Sequence, residues 1–153
     1  MNILVVSSEA VPFAKTGGLG DVVGALPKAL ARQGHTVKVF IPRYKNISKG
    51  YNHFQKLGLP AAIDVGDRKH SLAVEFLRVK RLPLEFYFVR NGRFFDRDEL
   101  YLDKKNGTDF TDNDERFVFF CRAVLETVRH LNWKPDIVHV HDWQAALIPA
   151  YME

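Results

Sequence analysis

The chain alternates short apolar runs with stretches whose apolar residues recur at helical spacing. Residues 3–6 form a continuous apolar run of the kind that a buried parallel strand needs. Between residues 22 and 31 the apolar positions recur every three or four residues, which predicts an amphipathic helix that Gly34 is placed to end. Residues 36–41 follow as a second strand, closed by Pro42. Together they predict a βαβ unit with parallel strands.

The rest of the chain repeats this alternation. In chain order, the pattern predicts a loop at 44–50, strands at 72–77 and 84–89, and a long polar loop at 91–110. A helix capped at 111 or 112 follows, with its apolar stripe at 117–131, then a strand at 136–141 and a helix at 144–152. We find no repeat, linker or low-complexity segment in the chain, so no internal domain boundary is predicted. The expected fold is therefore α/β, with a Rossmann-like parallel sheet flanked by helices over residues 1–153.

A glycine-rich segment at residues 15–21 joins the first predicted strand to the first predicted helix. Its glycines allow a tight turn and leave backbone N–H groups open to a ligand at a helix N-terminus, where phosphate is favoured. Lys15 would add a mobile ammonium beside the Gly17 and Gly18 amides. We interpret the segment as an anion cradle for a sugar-nucleotide diphosphate. The alternative for the loop is a turn that only needs the flexibility of glycine, with Lys15 solvated. Asp21 could contact a ligand, or it could only cap the start of the helix.

Two familiar phosphate-binding loops do not match this segment. The dinucleotide fingerprint needs G-x-G-x-x-G, whereas Gly18, Gly20 and Gly24 are spaced one residue too wide. It also needs an acidic residue at the end of the second strand, where residues 41–43 read Ile-Pro-Arg. The P-loop places its lysine after the last glycine, but Lys15 precedes the first.

Composition narrows the class of protein. At 153 residues with 46% apolar and 26% charged residues, the chain is typical of a globular domain with a real core. The net charge of +4 is mild and the basic runs are short, so no nucleic-acid partner is predicted. A single cysteine, Cys121, excludes an internal disulfide and suits a reducing compartment. With neither a leader pattern nor a membrane-length apolar run, the predicted location is cytoplasmic.

Two histidines lie on one face of the last predicted strand, with His141 at its carboxyl end and His139 deeper, in a structural position. Open α/β sheets bind ligands beyond the carboxyl ends of their strands, so His141 and Lys15 are expected to face one crevice. From the residues alone His141 is either satisfied by the backbone or one of two metal ligands. A metal site needs further ligands that the sequence does not locate.

Two Asp-x-Asp patterns, at 96–98 and 112–114, suggest a divalent ion held on a diphosphate. Local structure explains the second pattern better, because Thr111 or Asp112 can cap a helix whose dipole Asp114 complements. We interpret the first pattern as a solvated loop. Neither a metal nor another cofactor is therefore predicted.

Several ordered motifs resemble one known family. Residues 8–22 read Ser-Glu-Ala-Val-Pro-Phe-Ala-Lys-Thr-Gly-Gly-Leu-Gly-Asp-Val and are similar to the N-terminal signature of bacterial glycogen synthases and plant starch synthases. The match continues at 24–27 (Gly-Ala-Leu-Pro), in the Asp-Asn…Arg-Phe block at 112–117, and at 138–144 (Val-His-Val-His-Asp-Trp-Gln). The resemblance therefore runs the length of the chain, although its middle is loose.

The resemblance implies a fold and an activity. Members of this family are GT-B-type retaining glycosyltransferases with two Rossmann-like domains and an active site between them, and they need no metal. It implies glucosyl transfer from ADP-glucose to the non-reducing end of an α-1,4-glucan. It assigns Lys15 to the donor and His141 to a hydroxyl of the transferred glucose, with Asp142 also at the substrate. Tyr101 would lie near the donor or glucan cleft, either stacking on sugar or anchoring its loop.

The resemblance also implies a second domain that these 153 residues do not contain, so we expect the chain to be inactive alone. Three function classes stay open: part of a glycosyltransferase, a non-catalytic module that binds glucan or nucleotide sugar, and a metal-dependent hydrolase built on His139 and His141. The sequence does not decide between ADP-glucose and UDP-glucose.

Overall fold

The computed structural model describes residues 1–49 and 53–152. Its strands are β1 (Asn2–Val6), β2 (Thr36–Pro42), β3 (Gln55–Val65), β4 (Arg68–Arg78), β5 (Leu84–Arg90), β6 (Leu102–Asp103), β7 (Thr108–Asp109) and β8 (Ile137–Val140). Its α-helices are α1 (Gly18–Arg32), α2 (Gly92–Phe95) and α3 (Asn113–His130). Three 3-10 turns cover Lys45–Lys49, Trp143–Ala145 and Pro149–Tyr151.

Six strands form one mixed sheet in the order β3-β4-β5-β2-β1-β8. Strands β5, β2, β1 and β8 run parallel, which confirms the predicted βαβ unit, whereas β3 and β4 are antiparallel additions at one edge. Helix α1 packs against β2 and β5, and α3 packs against β3, β4 and β5. The predicted α/β class with a Rossmann-like, parallel-rich sheet is thus confirmed.

The strands that follow β1 in the chain are added to the sheet on both sides of it. From β1 it crosses to β2 on one side, while β8 returns on the other side, with Val5 pairing Val39 and His139. The four residues Ile3 to Val6 are all buried, as a strand in the middle of the sheet requires. In open α/β sheets such a reversal leaves a crevice at the carboxyl ends of the two strands, which is where ligands bind.

Helix α1 lies close to the loop before it. A Cβ on Gly24 would come within 2.9 Å of both the Cβ and the carbonyl oxygen of Val11, so this contact needs a glycine. At the other end Gly34 adopts φ +89° and its N–H bonds the Ala31 carbonyl at 3.1 Å. This is the helix stop that the sequence predicts.

Helix α3 buries the predicted apolar stripe, including Phe117, Phe120 and Cys121. The predicted side-chain cap is wrong in one respect. Asp112 occupies the N-cap position, but its side chain makes no capping bond. Both of its carboxylate oxygens instead accept from the Arg97 guanidinium, at 2.7 and 2.5 Å, and this pairing lowers the pKa of Asp112. Asp114 lies in the first turn, as expected.

One strand was missed, and three predicted elements differ in the structure. The missed strand is β3. The predicted 44–50 loop contains a 3-10 turn up to Lys49, and Gly50 lies outside the described residues. The long 91–110 loop contains α2 and the small β6–β7 hairpin. The predicted helix at 144–152 is wrong: it is two 3-10 turns, because Pro149 lacks the N–H that a continuous α-helix would need there.

Candidate functional site

The predicted site residues gather at the carboxyl ends of β1 and β8. Val6 pairs Val140 in the last register position, and the His141 N–H donates to the Val6 carbonyl at 2.9 Å. The glycine-rich loop leaves β1 at this edge, and Asp142 follows β8 directly. The crevice expected from the fold is thus bordered by both predicted motifs.

Lys15 forms an ion pair with Asp21, so its ammonium is not the free, mobile group that the sequence predicts. Its Nζ donates to both carboxylate oxygens of Asp21, at 2.7 and 2.6 Å. Both side chains remain about half exposed, at 49% and 57%. Because surface ion pairs contribute little to stability, a diphosphate that reaches the loop can compete with Asp21 for this ammonium.

Glu9 is a buried carboxylate in the loop that sequence reasoning missed. One oxygen, Oε2, accepts the Thr16 N–H at 2.7 Å and the Gly17 N–H at 3.4 Å. The other, Oε1, accepts the Thr16 hydroxyl at 2.6 Å. Part of the predicted anion cradle is therefore occupied by the protein's own carboxylate. The available signal was an acidic residue shortly after a buried strand and before a glycine-rich loop.

Tyr101 reaches the same carboxylate from the long loop. Its hydroxyl donates to Glu9 Oε1 at 2.8 Å, and its oxygen lies 2.7 Å from Ser8 Oγ. The half-buried ring packs against Phe117. Burial raises the pKa of this hydroxyl, and the Glu9 and Asp142 charges raise it further. These contacts favour the loop-anchor alternative over an exposed stacking ring. A contact between Tyr101 and substrate stays a prediction.

His141 stands beside Asp142 with one ring nitrogen unused. Its Nε2 is buried and has no hydrogen-bond partner in the part of the chain that the structure describes. The His139 ring stacks on it at 4.3 Å between centroids. His139 lies within β8, deeper along the strand than His141 as predicted, but its side chain is exposed. A buried nitrogen without a partner is unusual in a protein, so it is a ready contact point for a ligand hydroxyl.

Protonation of His141 gives a first testable prediction. Burial lowers the pKa of His141 below its ordinary value of 6.5, and the neighbouring His139 lowers it further. The imidazole is therefore neutral at pH 7, and the stability of the fold should fall as the pH drops from about 6.5 through the lowered pKa. In an NMR titration His141 should have its midpoint below 6.5, and His139→Gln should raise it. A midpoint at or above 6.5 in the unsubstituted chain would contradict this.

Asp142 has a backbone conformation that is almost reserved for glycine. Its φ of 62° and ψ of 176° place it outside the regions that residues with a Cβ favour. Its carboxylate accepts the Trp143 N–H at 2.7 Å. Such strain is concentrated at functional sites in proteins, so this residue is a candidate for function on its geometry alone.

Two substitutions at Asp142 should measure this strain. Both Asp142→Gly and Asp142→Ala remove the carboxylate, but only glycine is free of strain at a positive φ. We expect the glycine variant to be the more stable by about 1 kcal/mol, since the relief of about 1–3 kcal/mol exceeds the usual glycine cost of about 0.5–1 kcal/mol. Denaturant unfolding of both variants tests the order. An alanine variant that equals or exceeds the glycine variant would show that no strain is stored.

One aspartate from each of the two Asp-x-Asp patterns is engaged in an ion pair. Asp98 pairs with Lys45 at 2.8 Å, and Asp112 with Arg97. Across residues 1–49 and 53–152, no group of three or more His, Cys, Asp or Glu side chains is arranged to hold a metal ion. The hydrolase alternative therefore gains no support from His139 and His141, and the absence of a metal requirement stays a prediction.

A separate cavity of about 330 Å³ lies one strand away, at the carboxyl ends of β2 and β5. Three basic residues line it, Arg43, Lys45 and Arg90. Each already has a carboxylate partner, because Glu75 lies 2.9 Å from Arg43 and 3.7 Å from Arg90, and Lys45 pairs with Asp98 at 2.8 Å. None of the predicted site residues lines this cavity.

The fold and this edge define a class of protein: a Rossmann-like domain with a glycine-rich loop and a His-Asp motif bordering the crevice between two parallel strands. The family model of the starch synthase catalytic domain matches residues 2–153. The chain therefore belongs to the starch synthase catalytic-domain family, which confirms the resemblance seen in the sequence.

Individual relatives agree with this assignment. The chain is 42% identical to a glycogen synthase of Elusimicrobium minutum and 44% identical to glycogen synthase 2 of Geobacter metallireducens, in both cases over its full length. It is similar, with a TM-score of 0.79 and 32% identity over 95% of its length, to the catalytic domain of starch synthase IV from Arabidopsis thaliana bound to ADP and acarbose. The chain spans 31% of the two relatives and 29% of that structure.

No described helix combines the length and the apolar character that crossing a membrane would require.

Proposed function

We propose that this chain supplies the first part of a retaining glucosyltransferase that moves glucose from ADP-glucose to the non-reducing end of an α-1,4-glucan. The observation that carries the proposal is that β1 and β8 pair in parallel, so that the loop with Lys15 and the segment with His141 and the strained Asp142 leave the same edge of the sheet. Relatives named glycogen synthase support the reaction, and a structural neighbour bound to ADP supports ADP-glucose over UDP-glucose.

The proposed roles follow from the charge that develops during transfer. The leaving nucleoside diphosphate gains negative charge, which the Lys15 ammonium would stabilise once the diphosphate displaces Asp21. Helix α1 begins at Gly18, so its N-terminus would add partial positive charge, with Gly17 beside it. Asp21, released from the lysine, would lie next to the donor.

The sugar is proposed to lie at the other motif. The anomeric carbon becomes cationic in the transition state, so holding the ring in place matters more than a strong base. The neutral His141 would bond a glucose hydroxyl through its unused Nε2, and Asp142 would contact the same sugar. Tyr101 is proposed to lie beside these residues, near the donor or glucan cleft, as the anchor of its loop.

The proposed enzyme needs more than these residues. Because the chain spans 31% of its relatives, we propose that a second Rossmann-like domain supplies the other wall of the active-site cleft and that the chain alone is inactive. A cytoplasmic location, and independence from metals and other cofactors, are part of the same proposal.

A chimera tests the proposal directly. Residues 1–153 would replace the matching segment of the Geobacter metallireducens relative, with the intact relative as the positive control. We expect the chimera to transfer labelled glucose from ADP-glucose to glycogen, and the 153-residue chain alone to transfer none. A folded chimera without turnover would contradict the proposal. If that chimera still bound amylopectin, a non-catalytic glucan-binding module would be the better description.

A further inference from the structure

The Glu9 carboxylate occupies a position that resembles that of a bound phosphate. It is 3% exposed and accepts from two consecutive backbone amides, of Thr16 and Gly17, immediately before helix α1. Helix N-termini bind anions in this way, through amides and the helix dipole. Within residues 1–49 and 53–152, no lysine or arginine forms an ion pair with this carboxylate. Its charge is therefore satisfied by hydrogen bonds alone.

The second carboxylate oxygen ties the loop to a distant part of the chain. Oε1 accepts both the Thr16 hydroxyl, at 2.6 Å, and the Tyr101 hydroxyl, at 2.8 Å. Two donors from segments 85 residues apart in sequence thus meet on one atom. Bonds to a charged acceptor are stronger than neutral ones, so the pair constrains where Glu9 lies.

Tyr101 is itself held by buried polar contacts. Its carbonyl accepts from the Asn113 side chain at 3.1 Å and from the Phe110 N–H at 3.0 Å. The preceding carbonyl, of Leu100, accepts from the fully buried Arg116 at 3.0 Å. The start of helix α3 therefore holds the backbone at Tyr101, from which the hydroxyl reaches Glu9.

We propose that Glu9 is a positioning residue: it holds the Thr16–Gly17 amides in place so that Lys15 is presented to the donor, and Tyr101 acts through Glu9 rather than by touching the sugar. The presentation of Lys15 to a donor rests on the proposed function, whereas the positioning of the loop by Glu9 can be measured without substrate. It also implies that a diphosphate uses Lys15 and the helix start, since the Thr16 and Gly17 amides are already occupied.

A first measurement uses the chain without any ligand. Amide hydrogen exchange at Thr16 and Gly17 would be followed by NMR in the unsubstituted chain and in Tyr101→Phe, Thr16→Val and Glu9→Gln variants. We expect exchange at both amides to accelerate about tenfold in Tyr101→Phe and in Thr16→Val, the effect of losing one hydrogen bond, and more in Glu9→Gln. Unchanged exchange in these variants would overturn the positioning role.

A second measurement separates an indirect from a direct role for Tyr101. In the chimera, Tyr101→Phe and Glu9→Gln should each lower kcat/KM for ADP-glucose about tenfold, and the double variant should lower it no further than Glu9→Gln alone. Multiplied effects would show that Tyr101 contacts the substrate independently. An inactive chimera with the expected exchange data would overturn the proposed reaction while leaving the positioning of the loop supported.

The sheet offers a matched control. The Tyr87 hydroxyl donates to the Glu85 carboxylate at 2.8 Å, the same distance as in the Tyr101–Glu9 pair, but on β5 and away from the glycine-rich loop. Tyr87→Phe should leave exchange at Thr16 and Gly17, and kcat/KM for ADP-glucose, unchanged. A change equal to that of Tyr101→Phe would mean that the loop responds to general loss of stability, which would overturn the inference.

Discussion

Lys15→Ala should lower kcat/KM for ADP-glucose about 100- to 1,000-fold in the chimera, the loss typical of removing one group that stabilises developing negative charge. The Lys15 ammonium lies at the rim of the glycine-rich loop and is half exposed, so a ligand can reach it. Its present partner is a single carboxylate, Asp21, at 2.6 Å. A diphosphate carries more negative charge than one carboxylate and is therefore the stronger competitor for this cation.

The partner of Lys15 provides an internal test. If Asp21 only holds the lysine, Asp21→Asn should have a smaller effect than Lys15→Ala, and the double variant should match Lys15→Ala alone. If Asp21 also contacts the donor, as the sequence predicts, the two effects should multiply. Steady-state kinetics with ADP-glucose varied at saturating glycogen distinguishes the two results.

A lysine inside helix α1 is the matched control. Lys28 lies in the second half of α1 (Gly18–Arg32), away from the glycine-rich loop, so Lys28→Ala removes the same charge from the protein without changing the loop. Its kcat/KM should stay close to that of the unsubstituted chimera. If Lys15→Ala and Lys28→Ala had equal effects, the loss would reflect the overall charge of the protein, and the donor role of Lys15 would be wrong.

Strand β1 and helix α3 were predicted correctly because their apolar residues recur regularly and are buried. Strand β1 lies in the middle of the sheet and α3 buries one stripe, so both carry clear patterns. Strand β3 is an edge strand bonded on one side only, with a register shift between Leu57 and Ala61 that breaks its alternation. An edge position relaxes the demand for apolar residues, which is why the pattern there is weak.

The candidate site was predictable in position but only partly in detail. Topology placed the glycine-rich loop and His141 at one edge, because parallel strands end together. The pairing of Glu9 with Tyr101 joins residues 92 positions apart, and no local pattern encodes such a contact. The positive φ of Asp142 could not be predicted either, because an aspartate in a sequence does not indicate a backbone conformation that glycine prefers.

Arg116→Met should lower the free energy of unfolding by about 3–5 kcal/mol, because it leaves several buried acceptors without a donor at about 1–3 kcal/mol each. The Arg116 side chain is 0% exposed. Its guanidinium donates to the Phe94 carbonyl at 2.8 Å, the Leu100 carbonyl at 3.0 Å and the Asn113 side chain at 2.5 Å. Methionine keeps much of the length and apolar bulk, so the loss would come from these bonds.

The surroundings of Arg116 explain why a charge is tolerated there. Three aromatic rings, of Phe95, Phe110 and Phe117, lie 5.0 to 5.7 Å from its guanidinium carbon and offer cation–π contacts. Burial lowers the pKa of Arg116 to about 10, so the group still carries its charge at pH 7. Arg116→Lys should lose less stability than Arg116→Met, because an ammonium can still donate to some of the three acceptors and methionine to none. It should still be less stable than the unsubstituted chain, because an ammonium cannot reach all three acceptors.

A solvent-exposed arginine on the same helix separates this effect from a general loss of charge. Arg129 pairs with Glu126 near the end of α3 and is 79% exposed, so Arg129→Met should leave the denaturation midpoint unchanged. Denaturant unfolding followed by circular dichroism gives all three values. Equal midpoints for Arg116→Met and Arg129→Met would mean that the carbonyls of Phe94 and Leu100 find other donors. In that case the loop that carries Tyr101 would be held by its aromatic contacts instead of by hydrogen bonds.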